Sequence, residues 1–183
     1  MQIGTLCAEK LSQENIRTAL SFCDVYLGKG LYSAEMLEEI SRKEHHYFYL
    51  LSENGENVGI FYCYAAPRSE IEAVTHTHIP VKDSLIGLNR SIALSPSVRG
   101  QMLSDQLLNT FSQMLHDKEG VNFIYTLAWI RDKFIPAEGH LHRCGYSYVL
   151  RVPHPWRETK GLLCPACKKE NCICDGALYE KRF

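Results

Sequence analysis

The chain has 183 residues, 45% of them hydrophobic, which is enough apolar material for one good core and a small appendage. The formal net charge is −1 with pI near 6.7, so global charge points neither to nucleic acid nor to an anionic membrane surface. No apolar run reaches the roughly 20 residues of a membrane span, and residues 1–6 lack a basic segment leading into an apolar one. The reading is a cytoplasmic protein whose eight cysteines stay reduced unless they hold metal.

Ile3 to Ala8 predicts a first strand. Ser12 is the expected cap of a helix carrying Ile16, Ala19, Leu20, Cys23 and Leu27 on one face and ended by Gly28 and Gly30. A second helix starts at Ser33, has Glu35, Glu38 and Glu39 near its positive end, and runs to about Lys43. Tyr47–Ser52 and Val58–Ala65 read as strands joined at Asn54-Gly55, a hairpin signal. Residues Pro67 to Asp83 are polar, show no period and read as irregular. Leu85–Leu94 is an apolar run that predicts a largely buried strand, stopped by Pro96, which lacks the amide a ladder needs. After Arg99-Gly100, the residues Leu103, Leu107, Leu108, Phe111, Met114 and Leu115 mark one face of a helix. Asn122–Ile130 reads as a strand, Pro136–Cys144 as a short helix ended by Gly145, and Tyr146–Val152 and Ala177–Phe183 as the last two strands.

Strand, tight loop and helix start follow one another around Arg99. That arrangement presents backbone N–H groups at the positive end of a helix dipole and suits a phosphate or pyrophosphate. The run Ile92-Ala93-Leu94-Ser95-Pro96-Ser97-Val98-Arg99-Gly100 resembles motif A of the GNAT superfamily of acyl-CoA-dependent N-acyltransferases. In that family an Arg-Gly-x-Gly-x-Gly/Ala loop cradles the CoA pyrophosphate. Arg99 and Gly100 match, Ser104 is a small residue at the last position, and Met102 stands where the family has glycine.

The resemblance covers almost the whole chain and implies an α/β (α+β) fold: a mixed central sheet flanked by about four helices, in one domain spanning 1–183. Two central strands would splay apart to admit the cofactor. It also implies an N-acetyltransferase moving acetyl from acetyl-CoA to a primary amine on a small molecule or peptide. The cofactor would lie along Ile92, Ala93, Leu94, Arg99, Gly100, Gln101, Met102, Leu103 and Ser104, with the Leu94 amide polarising the thioester carbonyl. The Met102 side chain is unbranched and flexible and can turn away from the phosphate if its local backbone is αR. Aligning Gly145-Tyr146 with the family puts Leu141 where a tyrosine acid often stands. His140 and His142 flank it and are the candidate proton donors, against the plainer reading of two solvated helix residues. His76 and His78 precede motif A and would share one face of an extended segment.

A second constellation is Cys164, Cys167, Cys172 and Cys174, spaced C-x2-C-x4-C-x-C. Four soft ligands suit a tetrahedral Zn2+, and a closed four-sulfur site is structural because no position is left for water. Two disulfides, or four unconnected thiols, are the rival readings. Residues 156–175 would form a zinc knuckle inserted in the C-terminal hairpin. Cys7, Cys23, Cys63 and Cys144 read as small core residues, and Trp129 and Trp156 as packing groups. From Arg157 to Phe183 there are six basic and four acidic residues, which a four-thiolate zinc site (formally about −2) offsets, so a nucleic-acid partner is not expected. No membrane partner is expected either, and a homodimer stays open. The alternative to an enzyme is a non-catalytic protein of this fold, a ligand sensor or an interaction module acting through the knuckle.

Overall fold

The computed structural model describes residues 1–100 and 102–183; Gln101, one of the expected cofactor contacts, lies outside the described residues. Its elements are β1 (Gln2–Ile3), β2 (Leu6–Lys10), α1 (Ile16–Tyr26), α2 (Ala34–Arg42), β3 (His46–Glu53), β4 (Glu56–Pro67), α3 (Arg68–Thr75) and β5 (Leu85–Leu94). After a single turn of 3-10 helix at Pro96–Val98 come α4 (Leu103–Glu119), β6 (Phe123–Trp129), α5 (Glu138–Arg143), β7 (Ser147–Val152) and β8 (Gly176–Arg182). The strands form one eight-stranded mixed sheet in the order β1-β2-β3-β4-β5-β6-β8-β7, antiparallel except for β5 with β6.

Local signals hold where they are strong. The Ser33 hydroxyl accepts the Met36 N–H and caps α2, while Asn54 and Gly55 take the positive φ values (51° and 83°) of a tight hairpin. Three sequence expectations give way. The first strand breaks at Gly4 into a hairpin, with Ile3 opposite Leu6. Ser12 does not cap α1: the cap position is Asn15, whose Oδ1 accepts the Ser12 N–H at 2.8 Å. The stretch read as irregular contains α3, which buries only Ile71 and Thr75, too narrow a stripe to show as a period.

Both faces of the sheet are covered. Along β4, Ile60, Tyr62, Tyr64 and Ala66 pack with α1, α2 and α3, while Val58, Phe61, Cys63 and Ala65 pack with α4 and α5. From Ile60 onward every second residue faces the same way, Val58 lying at a bulge against β3, so an unbroken apolar run here means two buried faces. Phe61 and Phe111 stack at 4.3 Å and are fully buried; each such side chain contributes roughly 1.5–3 kcal/mol. Cys23, Cys63 and Cys144 are buried as expected, whereas Cys7 is exposed on β2.

Two irregularities of β5 position the site. Its parallel ladder with β6 spans only Gly87–Asn89 against Ile124–Thr126, while its ladder with β4 continues to Leu94. Beyond Asn89 the two central strands therefore diverge, and the second half of β5 is half-exposed rather than buried. At the divergence, Arg90 is an extra residue between the pairs Tyr62–Ser91 and Cys63–Asn89, a β-bulge. The bulge shifts side-chain parity. Ile86 and Leu88 face the α1/α2 side before it, and Ser91 and Ala93 face that side after it.

Residues 153–175, between β7 and β8, fold back onto the α1–α2 loop. The Leu163 N–H donates to Lys29 O at 2.8 Å, and Leu162, Cys164 and Cys172 are buried in the same core as Leu27 and Leu31. At its base Asp175 accepts from Arg151 Nε (2.6 Å) and from the His154 N–H (3.1 Å).

Candidate active site

The gap between β5 and β6 opens into a cavity of about 550 Å³ running through the sheet from the α1–α2 side to the α4–α5 side. At its apex, Asn89 Nδ2 donates to Tyr146 Oη (2.5 Å) and Ser112 Oγ (3.2 Å), and Thr126 Oγ1 donates to Asn89 O (2.9 Å). This buried polar set pins the point where the strands part. Burial pushes the Tyr146 hydroxyl well above its ordinary range, so it is a neutral donor within the network.

Past the apex, the Ser95 N–H is given to Val58 O on β4 (2.8 Å). Amide direction alternates along a strand, so the N–H groups of Ile92 and Leu94 point the opposite way, into the cavity. A preformed donor of this kind can polarise a carbonyl whose oxygen accepts from it. The expected cofactor residues Ile92, Ala93, Leu94, Arg99, Gly100, Met102, Leu103 and Ser104 all line this cavity.

The loop before α4 explains why glycine suits it. Gly100 has φ +82°, and Met102 has φ +55° at the cap position, where its carbonyl accepts the N–H groups of Asp105 and Gln106. The αR condition for turning the Met102 side chain away is not met: its backbone is left-handed, a conformation that costs an L-residue about 1–2 kcal/mol. Its side chain is 57% exposed and carries little packing. Met102→Gly is therefore expected to raise stability by about 0.5–1 kcal/mol, the relieved strain being partly offset by the freer unfolded chain. A thermal unfolding midpoint unchanged or lowered by this substitution would contradict the left-handed assignment.

On the α5 side, Arg143 forks onto the buried Asp105 in the first turn of α4 (Nε–Oδ2 2.5 Å, Nη2–Oδ1 3.0 Å) and holds its carboxyl below the usual carboxylate range. His140 Nδ1 lies 3.2 Å from Ser104 Oγ and 3.3 Å from Asp105 Oδ1, on the cavity wall. His142 is not on that wall; its ring meets Tyr179 edge-on at 5.8 Å. His76 caps α3 in a left-handed conformation and His78 pairs with Glu72 (2.8 Å), both away from the cavity. Trp129 and Trp156, expected only to pack, sit 4.7 Å apart and line the α1/α2 half of the cavity with Tyr26, Leu27 and Leu31. Sequence reasoning also missed Arg90 and Arg131 on this wall. The visible signal was Asn89-Arg90-Ser91, three polar residues interrupting an apolar strand.

The four thiols of Cys164, Cys167, Cys172 and Cys174 converge, all within 4.8 Å of one another. Cys164 and Cys174 are 3.8 Å apart, matching the edge of ~3.8 Å that follows from ~2.3 Å Zn–S bonds in a tetrahedron. They form no disulfide. This donor set fits a structural metal ion.

Over almost its whole length the chain shares its fold with solved N-acetyltransferase structures, among them an acetyltransferase of the GNAT family from Streptococcus pneumoniae. Over 98% of this chain and 100% of the other it is similar to Arabidopsis thaliana NAA60 in complex with acetyl-CoA (TM-score 0.70, 11% identity). A Drosophila melanogaster polyamine N-acetyltransferase that forms N-acetylagmatine matches with TM-score 0.67 and 10% identity over 97% of this chain and 100% of that one. The ribosomal-protein-S18-alanine N-acetyltransferase of Escherichia coli matches with TM-score 0.62 and 13% identity, over 97% and 93%. No family model matches the sequence, and no curated protein matches it. No helix among the described residues is long and apolar enough to cross a membrane.

Proposed function

We propose that this protein is an N-acetyltransferase that moves an acetyl group from acetyl-CoA to a primary amine. The observation that carries the reading is the pair of outward amides, Ile92 and Leu94, beside the loop and helix start at Gly100–Ser104. Acetyl-CoA would supply the activated acyl group. The α4 start and Arg99 would hold its phosphates, and the Leu94 N–H would favour the charge that develops on the carbonyl oxygen. The amine would enter from the α1/α2 half, a proton would leave it, and a proton would reach the departing sulfur. We assign that last step to His140, the only one of the two candidate histidines on the cleft wall. Zinc at the four cysteines would be structural, with residues 156–175 a knuckle within one domain spanning 1–183.

Calorimetric titration tests the core of this reading: acetyl-CoA and CoA are expected to bind, and Met102→Gly to tighten both a few-fold. No binding of either at millimolar concentration in either protein would refute it in favour of a non-catalytic role. For the acid, His140→Ala is expected to lower kcat about 100-fold, the lower end of acid–base contributions, with acetyl-CoA affinity nearly kept. A rise in the acetyl-CoA Kd with unchanged kcat would instead make His140 a phosphate contact.

A further inference from the structure

The cavity wall carries charge of one sign. Arg90, Arg99, Arg131 and Arg143 line it, and among the described residues no aspartate or glutamate does, although the whole chain has net charge −1. Arg143 is matched by Asp105, and Arg99 Nε donates to Leu94 O at 3.2 Å, both on the α4 side. The other two arginines are different. Among the described residues neither Arg90 nor Arg131 pairs with a carboxylate.

Arg131 lies 5.8 Å from the Trp129 ring centroid, and its Nε is buried with no hydrogen-bond partner. Arg90 is the bulge residue, on the same face as Ile86 and Leu88 and near the Tyr32 hydroxyl, which bonds Ser91 Oγ at 2.6 Å. Two guanidinium groups on one cavity wall with no carboxylate partner leave positive charge there that an anionic ligand group would balance. The planar guanidinium fork matches a carboxylate in particular.

Resting on the acetyltransferase reading, we propose that the acceptor is an amine that also bears a carboxylate, with Arg90 and Arg131 holding the carboxylate and the Tyr26, Leu31, Trp129 and Trp156 wall taking an apolar body. Such an acceptor is a free α-amino acid, or a peptide with an acidic residue near its N-terminus. A polyamine is rejected by the same charges, since two like charges in a poorly solvated cleft repel strongly. The arginines also favour the neutral form of the nearby amine, which is the nucleophile. The amine nitrogen forms a bond to the acyl carbon, the carbon–sulfur bond breaks, the nitrogen gives up one proton and the sulfur takes one.

The test is calorimetry on the protein saturated with CoA, preceded by its titration with acetyl-CoA. Phenylalanine, phenylalaninamide, phenethylamine and spermidine form one arm. Two tetrapeptides that differ only in glutamate or lysine at the second position form the other. In the favourable arm the carboxylate-bearing member is expected to bind at least 10-fold more tightly than its matched partner, and which arm responds identifies free amino acid or peptide. Arg90→Gln is expected to shrink that preference to within twofold, and Arg90→Lys to restore part of it, with acetyl-CoA affinity unchanged in both. Equal binding within both pairs, tighter binding of spermidine, or a preference that survives Arg90→Gln would overturn the proposal. With acetyl-CoA bound normally, that result leaves the acetyltransferase reading standing; absent acetyl-CoA binding overturns both.

Discussion

With zinc at the four cysteines as proposed above, stripping it is expected to destabilise the protein by at least about 3 kcal/mol, because binding energy at a structural zinc site is folding energy. Elemental analysis of untagged protein should show close to one zinc per chain, and Cys167→Ser should lower it. The effect should reach past the knuckle. Leu163 donates to Lys29 O, and Leu162, Cys164 and Cys172 share a core with Leu27 and Leu31, which line the α1/α2 half of the cavity. The Leu94 wall and the α4 start lie on other elements. Loss of metal should therefore raise the KM for an amine acceptor about 10-fold or more while acetyl-CoA binding changes little. A metal-free protein of unchanged stability, with all four thiols open to alkylation, would dispose of the zinc assignment.

Gly30→Ala should be nearly as damaging, and for a reason that separates contact from strain. Gly30 has φ +82°, and a Cβ there would sit 2.0 Å from Gly161 O, a backbone atom of the knuckle segment that cannot swing aside. Gly55 has φ +83° with nothing within 4 Å of a Cβ. Gly55→Ala should thus cost only the left-handed penalty of about 1 kcal/mol, while Gly30→Ala should cost about 3–4 kcal/mol as the loop and knuckle are pushed apart. Urea unfolding of the two variants gives the comparison directly. Equal costs would mean that the knuckle does not dock on the α1–α2 loop.

The two constellations read from the sequence differ in how they come together. The cysteine cluster lies within eleven residues, so local turns suffice to gather its sulfurs, and spacing alone locates it. The loop at Arg99-Gly100 is also local, and the described residues expected there line the cavity. The backbone at Met102 could not be read in this way. Its left-handed conformation follows from how the chain must turn from the 3-10 segment into α4, and a methionine gives no sign of that. The α3 helix escaped notice because Ile71 and Thr75 make too short a stripe, and the helix ends at His76 rather than at a glycine.

What the sequence determined by itself is set by short-range physics: the hairpin at Asn54-Gly55, the Ser33 cap, the strand–loop–helix around Pro96 and the metal-ligand spacing all act within a few residues. What only the tertiary structure decided involves partners far apart in the chain. The ladder between β5 and β6 stops at Asn89, where residues from β5, α4 and the turn before β7 meet at one polar apex. The bulge at Arg90 exists only relative to β4, since an extra residue is defined by the strand opposite it. Arg90 faces the tyrosines of β4 and the α1–α2 loop, and the wall it joins draws on Trp129 and Trp156 from strands and loops that no local pattern connects. A cavity is made of such long-range pairings. Its position, its unpaired arginines and its union with the knuckle could therefore be seen only once the chain was folded.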